Sequence, residues 1–247
     1  MRDDLLDVWA GVDWANAQLP ILKARIDAWT ESRPYGIVEE MHPYNREKVY
    51  KLSNVRRLPQ IVNIEAGLVI NGLRSSLDLL ANVLSARNGF PNPKYTQFPI
   101  CRSRAAFFNG KHAGHKDIDG LSAVDRQIIE DLEPWDGGHS SLFRLHCLDN
   151  VRKHRNLIGV SVLPPEISSD ASDMATGFRV GIRAVWRGFK DGAIVGSAKI
   201  DAPKPDIELP LQVTLSEGLA FPTLPLLAVL DNFTRATAEI IGLFDVP

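Results

Sequence analysis

The run from Ile61 to Arg87 constrains this chain most, because it is the longest helical pattern in the sequence and contains no proline. Large apolar residues recur in it at steps of mostly three and four, the spacing of a stripe that faces a protein core. This stripe consists of Ile61, Ile64, Leu68, Leu73, Leu77, Leu80 and Leu84. The sequence therefore predicts a long central helix that buries this stripe.

A second stripe on the same helix carries small and polar residues: Gly67, Asn71, Arg74, Asp78 and Asn82. Asn71, Arg74 and Asp78 share one helical face because they are three and four residues apart. Two interpretations stay open. In one, the stripe is a solvated or interface face of a core helix. In the other, Arg74 binds an anionic ligand such as a phosphate while Asp78 orients its guanidinium.

The rest of the chain predicts an α+β fold: a helical bundle with an early β-hairpin, then an antiparallel sheet and a closing C-terminal helix. Further helical patterns cover residues 3–32, 103–109, 122–132, 141–156 and 225–244. The hairpin candidate spans 35–55, and four β-rich runs within 157–215 form the sheet candidate, which the hairpin is expected to extend. No linker separates these parts, so residues 1–247 are predicted to form one domain. Its helical part covers about 1–156 and 219–247, and its β part about 157–218.

A second polar constellation lies in the run LDNVRKHRN, from Leu148 to Asn156. Helical spacing places His146 and Asn150 on one face with Lys153 or His154, and Arg152 and Arg155 flank that face. Arginine and lysine supply positive charge for a phosphate, and a histidine can move a proton near neutral pH. The alternative is a basic last turn that complements the helix dipole.

Composition excludes several classes of protein. The net charge of −2 argues against bulk attraction to nucleic acid or to an anionic membrane, and no stretch approaches the length of a bilayer span. The two cysteines, Cys101 and Cys147, are far apart, which favours a reducing cytoplasm. No cofactor motif is present, and the His112/His115 pair lacks a Glu or Cys at metal-ligand spacing. We therefore expect a cytoplasmic protein without a metal, a cofactor or a membrane span.

Three ordered segments resemble a group of uncharacterised bacterial proteins: LRSSLDLLA (Leu73 to Ala81), TQFPI (Thr96 to Ile100) and LDNVRKHRNL (Leu148 to Leu157). The group's first motif runs Leu-Arg-x-x-Leu-Asp-His-Leu, and its last centres on Asp-Asn-x-x-Lys-His-Arg. The resemblance covers roughly residues 35 to 160. It implies no particular activity.

A more distant resemblance is to HEPN domains, helical modules of prokaryotic toxin–antitoxin and defence systems. Many of these are RNases whose Arg-x(4–6)-His motif is completed across a dimer. In this chain the run from Arg74 has Leu79 where the group's motif has histidine. If His154 replaced that imidazole, the resemblance implies metal-independent RNA cleavage, with Arg74 and Lys153 stabilising the developing phosphorane charge.

Three hypotheses follow for this chain. The first is a HEPN-like RNase or defence component with a degenerate motif. The second is a non-catalytic binding or assembly module in which a polar cluster of Arg74 with Lys153, His154 and Arg155 holds a phosphate-bearing ligand or simply holds itself together. The expected partners are RNA or such a ligand, and a second copy of the chain in a homodimer. The third is a buried polar network that locks two helices together through Arg74, Asp78, Asp149, Asn150 and Lys153. The non-catalytic hypotheses are favoured jointly. The predicted ligand-binding residues are Asn71, Arg74, Asp78, Asn150, Lys153, His154 and Arg155, and the catalytic candidates are Arg74 and His154.

Overall fold

The computed structural model describes residues 2–44, 46–91, 96–154, 159–163, 179–180, 188–216 and 224–245. The fold is α+β, as the sequence predicts. The helices are α1 (Leu6–Glu31), α2 (Gln60–Arg87), α3 (Arg104–Phe108), α4 (Ala123–Asp131), α5 (Ser140–His154) and α6 (Leu226–Gly242). The strands are β1 (Gly36–Met41), β2 (Glu47–Ser53), β3 (Val160–Leu163), β4 (Arg179–Val180), β5 (Ile194–Lys199) and β6 (Gln212–Leu215). None of the helices in these ranges has both the length and the apolarity needed to cross a membrane.

Local capping accounts for the helix boundaries that the sequence predicts well. The side chain of Ser122 accepts a hydrogen bond of 3.1 Å from the backbone N–H of Asp125 and so caps α4. Ser103 caps α3 in the same way, by accepting a hydrogen bond of 3.1 Å from Ala106. The capping residue in each case supplies an acceptor that the first turn lacks, which fixes where the helix begins.

The chain divides into two compact units. Unit 1 comprises Met1–Lys23, Asn63–Gly159 and Leu227–Pro247, and unit 2 comprises Ala24–Val62 and Val160–Leu226. The early hairpin belongs to unit 2 with the late strands. The single domain that the sequence favours stays a prediction.

Helix α2 buries a different face in its first half from the one its large residues predict. Leu73, Leu77, Leu80 and Leu84 are fully buried, as expected. Ile61, Ile64 and Leu68 are instead 38%, 40% and 41% exposed, so this part of the prediction is wrong. The buried residues there are Val62, Ala66, Gly67, Val69 and Ile70, and all but Ile70 are smaller than the three exposed residues.

Small residues in unit 1 explain this choice of face, because they let neighbouring elements approach α2 closely. A Cβ atom at Gly67 would lie 3.0 Å from Cδ of Arg152, which belongs to α5. A Cβ at Gly11 would lie only 2.1 Å from Oγ of Ser76. The contact at Gly67 is tight, and the contact at Gly11 leaves no room for a Cβ, so a glycine on α2 in the first place and on α1 in the second permits the close packing.

In unit 2, β1 and β2 form the predicted antiparallel hairpin, and β2 pairs with the late strand β5. The sheet order is β1-β2-β5-β4, which confirms that the hairpin extends the late sheet. The four late runs do not share one sheet, however, because β3 and β6 pair with each other separately. Tyr35 helps to hold the segment before β6: its hydroxyl accepts a hydrogen bond of 2.8 Å from the N–H of Leu209.

Candidate functional site

Arg74 forms a buried clamp between α2 and the segment that contains Phe98. Its Nη1 donates a hydrogen bond of 2.7 Å to Oδ1 of Asp78, and its Nη2 donates one of 2.8 Å to the carbonyl of Phe98. The same Asp78 oxygen accepts a bond of 3.0 Å from the N–H of Phe98. The Arg74 side chain is only 5% exposed. Its charge is therefore satisfied inside the protein, as buried charges must be.

Asn71 and Asp149 connect α2 to α5 within unit 1. Nδ2 of Asn71 donates a hydrogen bond of 2.9 Å to Oδ1 of Asp149. Nζ of Lys153 lies 2.6 Å from the other carboxylate oxygen, Oδ2. The Asp149 side chain is 2% exposed, whereas that of Lys153 is 41% exposed. A buried carboxylate thus receives both a neutral donor from α2 and a charged donor from its own helix.

Electrostatic interactions couple the Arg74–Asp78 pair to the Asp149–Lys153 pair. Burial raises the pKa of Asp78 above its usual range, while the charge of Arg74, the Phe98 N–H and the charge of Lys153 act in the opposite direction. Lys153 therefore acts both on Asp149, its ion-pair partner, and on Asp78. The hydrogen bond between α2 and α5 comes from Asn71, whereas Arg74 and Asp78 bond to each other and to Phe98, so the predicted lock of Arg74 and Asp78 onto α5 stays a prediction.

Asn150, which the sequence also assigns to the network, pairs with His146 instead. Nδ2 of Asn150 lies 2.9 Å from Nε2 of His146, one helical turn earlier on α5. Burial and the positive charge of Arg74, with smaller contributions from Lys153 and Arg102, lower the pKa of His146 to about 4, although the charge of Asp149 acts in the opposite direction. The imidazole is thus neutral at pH 7, and with Asn150 donating to Nε2 it carries its proton on Nδ1.

Two predicted site residues cannot be placed. His154 ends α5, but its side chain lies outside what the structure describes, and Arg155 lies outside the described residues altogether. The composite site of Arg74 and His154 therefore stays a prediction. Leu79, at the position where the resembling motif has histidine, is 38% exposed.

Beside the Asn150–His146 pair lies a cleft of about 700 Å³. Most of its lining is one face of α5, because residues three and four apart stand on the same side of a helix. These residues are Phe143, His146, Cys147, Asn150 and Val151. Arg102 and Asp136 are the other described residues that line it. The volume falls within the range of small-molecule sites.

A backbone bridge positions the two charged residues of the cleft. Cys101 and Trp135 form an isolated parallel β-bridge. The N–H of Cys101 donates to the carbonyl of Pro134 at 2.9 Å, and the N–H of Asp136 donates to the carbonyl of Cys101 at 3.2 Å. Arg102 and Asp136 each follow a bridged residue, so two segments distant in sequence present opposite charges to the same cleft.

Both charges act on Cys147, which lies on the cleft wall. Burial raises the pKa of its thiol, Asp136 raises it further, and Arg102 opposes this rise. The thiol is therefore protonated at neutral pH and does not have the thiolate character of a reactive cysteine. Cys101, on the bridge, likewise has its pKa raised, chiefly by burial.

Sequence reasoning identified His146 and Asn150 but missed the other lining residues. The stripe of Phe143, Cys147 and Val151 could have been found by reading α5 at helical spacing. Arg102 and Asp136 carry no such signal, because only a long-range bridge between irregular segments brings them together.

The predicted histidine pair of the loop comprises an exposed His112 and a half-buried His115. Nδ1 of His115 lies 2.9 Å from the carbonyl of Phe107. Over the described ranges, no group of three or more His, Cys, Asp or Glu side chains could hold a metal ion.

The described residues of the three segments that carry the resemblance all belong to unit 1. Arg74 and Asp78 of the first bond to Phe98 of the second, and Asn71, just before the first segment, bonds to Asp149 of the third. Kinship with the bacterial group or with HEPN domains stays a prediction. No protein-family model, no curated protein and no solved structure matches the chain.

Proposed function

We propose that this chain is a non-catalytic binding module whose ligand occupies the cleft along α5. The observation that carries the proposal is that neighbouring residues of α5 face in different directions, one into the buried polar network and the next into the cleft. Asp149 is buried and bonded to Asn71, while its neighbour Asn150 lines the cleft. The polar network therefore fixes the helix that forms the wall of the cleft. A rigid wall lowers the entropic cost of binding, because fewer side chains must be ordered when the ligand arrives.

The titratable groups of the cleft favour binding over catalysis. A general acid or base works best when its pKa is close to the working pH. Here the pKa of His146 is lowered to about 4, and the pKa of the Cys147 thiol is raised. Neither group is poised to exchange a proton or to attack a substrate at pH 7, whereas both supply hydrogen-bonding or apolar contact to a ligand.

The RNase hypothesis receives less support from the same contacts. Both Nη atoms of Arg74 donate hydrogen bonds inside the protein, so a phosphate would have to displace Asp78 or the Phe98 carbonyl. RNA cleavage without added metal, by wild-type protein beside Arg74→Ala and His154→Ala, tests it directly. Cleavage that both variants lose would favour an RNase. Equal cleavage by all three proteins, or none by any, would end that hypothesis.

Ligand-induced thermal stabilisation tests the binding proposal, since a ligand that binds only the folded state raises the melting temperature. The probes are inorganic phosphate, the ribonucleoside monophosphates, small dicarboxylic acids and the twenty free amino acids. Val151→Trp narrows the cleft and is expected to remove the stabilisation. Val124→Trp is the matched control, because Val124 is 70% exposed on α4 and does not line the cleft.

A second measurement tests whether a probe binds in the cleft itself, by following the alkylation of a cysteine on its wall. In a Cys101→Ser background, Cys147 is the one remaining cysteine, and the rate of its alkylation at pH 8.5 reports access to the cleft wall. A probe that binds there should slow alkylation in proportion to its occupancy. The proposal fails if no probe in the panel raises the melting temperature or protects Cys147.

A further inference from the structure

Arg102 and Asp136 line the same cleft with opposite charges and yet do not neutralise each other. Neither side chain forms a hydrogen bond or an ion pair with any residue in the described part of the chain. The backbone bridge between Cys101 and Trp135 places them in adjacent segments. Exposed opposite charges that lie close enough normally pair, although weakly. In this cleft a guanidinium and a carboxylate are both left open to a ligand.

Among the described residues, the remaining lining is uncharged at neutral pH. His146 is neutral, the Cys147 thiol is protonated, and Asn150, Phe143 and Val151 carry no charge. The described lining therefore offers one positive and one negative group. A multiply charged phosphate would face the Asp136 carboxylate, and a simple organic cation would face Arg102. The ligand that satisfies both groups carries one negative and one positive charge of its own.

We propose that the cleft binds a free α-amino acid, with the ligand's carboxylate on Arg102 and its ammonium group on Asp136. This inference rests on the proposed function and names the chemical class of its ligand. The planar guanidinium of Arg102 can donate two parallel hydrogen bonds to a carboxylate. The Asp136 carboxylate accepts hydrogen bonds from an ammonium group, which has three donors.

Phe143 and Val151 indicate which amino acids fit. They stand at the two ends of the α5 stripe, and both line the cleft. They offer apolar surface to a ligand side chain, and the volume of about 700 Å³ leaves room for a large one. The oxygen of the Asn150 amide accepts no hydrogen bond from a described residue, so it is open to a donor of the ligand. We expect large aliphatic or aromatic amino acids to bind more tightly than glycine or the acidic and basic amino acids.

Calorimetric titration of the full chain with the twenty free amino acids tests the inference. The best binder is then compared with its N-acetyl derivative, which lacks the ammonium charge, and its carboxamide, which lacks the carboxylate. We expect each derivative to bind about 10- to 100-fold more weakly, the usual effect of losing one charged hydrogen-bonding group. Arg102→Gln and Asp136→Asn should weaken binding of the parent amino acid by similar factors.

Measuring each ligand derivative against each protein variant tests whether the ligand's ammonium group contacts Asp136 and its carboxylate contacts Arg102. Asp136→Asn should remove the penalty of N-acetylation, and Arg102→Gln should remove the penalty of the carboxamide, because each pair reports one contact. Asp131→Asn, a change in an exposed acid of α4 outside the cleft, should leave affinity unchanged. Melting temperatures measured without ligand show that each variant is folded.

The outcomes separate this inference from the proposed function. If phosphate, nucleotides or dicarboxylates bind and protect Cys147 while amino acids do not, the amino-acid inference is overturned and the binding function stands. Equal affinity for an amino acid and its N-acetyl derivative also overturns the inference. If no probe binds, both proposals fail together.

Discussion

Nη2 of Arg74 donates a hydrogen bond of 2.8 Å to the backbone carbonyl of Phe98, a residue in a segment without helix or strand. The carbonyl therefore has a charged donor where secondary structure supplies none. Asp78 accepts the N–H of the same Phe98, so both backbone groups of this residue are satisfied from one turn of α2. This explains how an irregular segment is held beside a core helix with its polar groups paired.

Replacing Arg74 with alanine should destabilise unit 1 by about 3 kcal/mol, because breaking a buried charge pair leaves the partner uncompensated. The Phe98 carbonyl would also lose its donor. The measurement is urea unfolding followed by far-UV circular dichroism. A change in the denaturation midpoint with an unchanged slope would report lost stability and not a changed mechanism of unfolding.

Arg235 and Asp231 on α6 provide the matched control for this variant. They form the same i,i+4 type of pair at 3.0 Å, but their side chains are 65% and 51% exposed. Arg235→Ala should cost less than about 0.5 kcal/mol, as exposed pairs usually do. Equal losses for the two variants would show that the buried clamp of Arg74 does not stabilise the fold.

A double-mutant cycle on Asn71 and Asp149 measures the connection between α2 and α5. We expect Asn71→Ala and Asp149→Ala to couple by about 1 kcal/mol or more, since their hydrogen bond involves a carboxylate that is almost wholly buried. The measurement is the free energy of unfolding of the wild type, both single variants and the double variant. Additive losses would contradict a direct stabilising contact between the two helices.

The sequence predicts the positions of the helices and strands well, but it predicts less well which face of a helix is buried. The sequence predicts that α2 begins at Ile61, and it begins at Gln60. The prediction is close because the apolar repeat and the lack of proline are local signals. Which side of α2 is buried depends on the neighbours that approach it. Gly67 allows such an approach by Arg152, and the larger Ile64 and Leu68 are left partly exposed.

Some residues of the candidate site can likewise be predicted from local spacing in the sequence, whereas others come together only through long-range contacts. Asn71 and Arg74 stand on one face of a single helix, and their polar character marks them in the sequence. Arg102 and Asp136 become neighbours only through the bridge between Cys101 and Trp135. Such a contact depends on how the chain folds back on itself, which no local spacing encodes.

His146 should make the protein less stable as the pH falls from 7 to 5. The pKa of this residue is about 4 in the folded protein and near its usual 6.5 when the chain is unfolded. Between these values the unfolded state takes up a proton that the folded state resists, so acidification favours unfolding. The loss is on the order of 1–2 kcal/mol by pH 5, and below about pH 4 this residue contributes no further loss.

Urea midpoints at pH 7 and pH 5 check this prediction, with His146→Gln as the informative variant. Glutamine does not titrate, so the variant should lose less stability between the two pH values than the wild type. His112→Gln, in an exposed loop position, is the control and should behave like the wild type. The same pH dependence in all three proteins would show that His146 is not responsible.

Gly11 of α1 and Ser76 of α2 lie in close contact within unit 1 and supply the last prediction. A Cβ at Gly11 would lie 2.1 Å from Oγ of Ser76 but 3.5 Å from its Cβ. Ser76 is 4% exposed, and its hydroxyl donates a hydrogen bond of 3.1 Å to the carbonyl of Gly72. Gly11→Ala should therefore destabilise the protein by about 1–3 kcal/mol, the usual cost of overpacking a core.

Removing the hydroxyl should reverse the effect. In a Ser76→Ala background the new methyl group meets only an ordinary contact, and alanine is favoured over glycine in a helix by about 0.5–1 kcal/mol. Gly11→Ala is then expected to be neutral or stabilising in thermal unfolding. Gly72→Ala is the control, because its Cβ would lie at an ordinary 3.5 Å from the Trp14 ring and should not destabilise. If Gly11→Ala is equally damaging with and without the Ser76 hydroxyl, that atom does not set the spacing of α1 and α2.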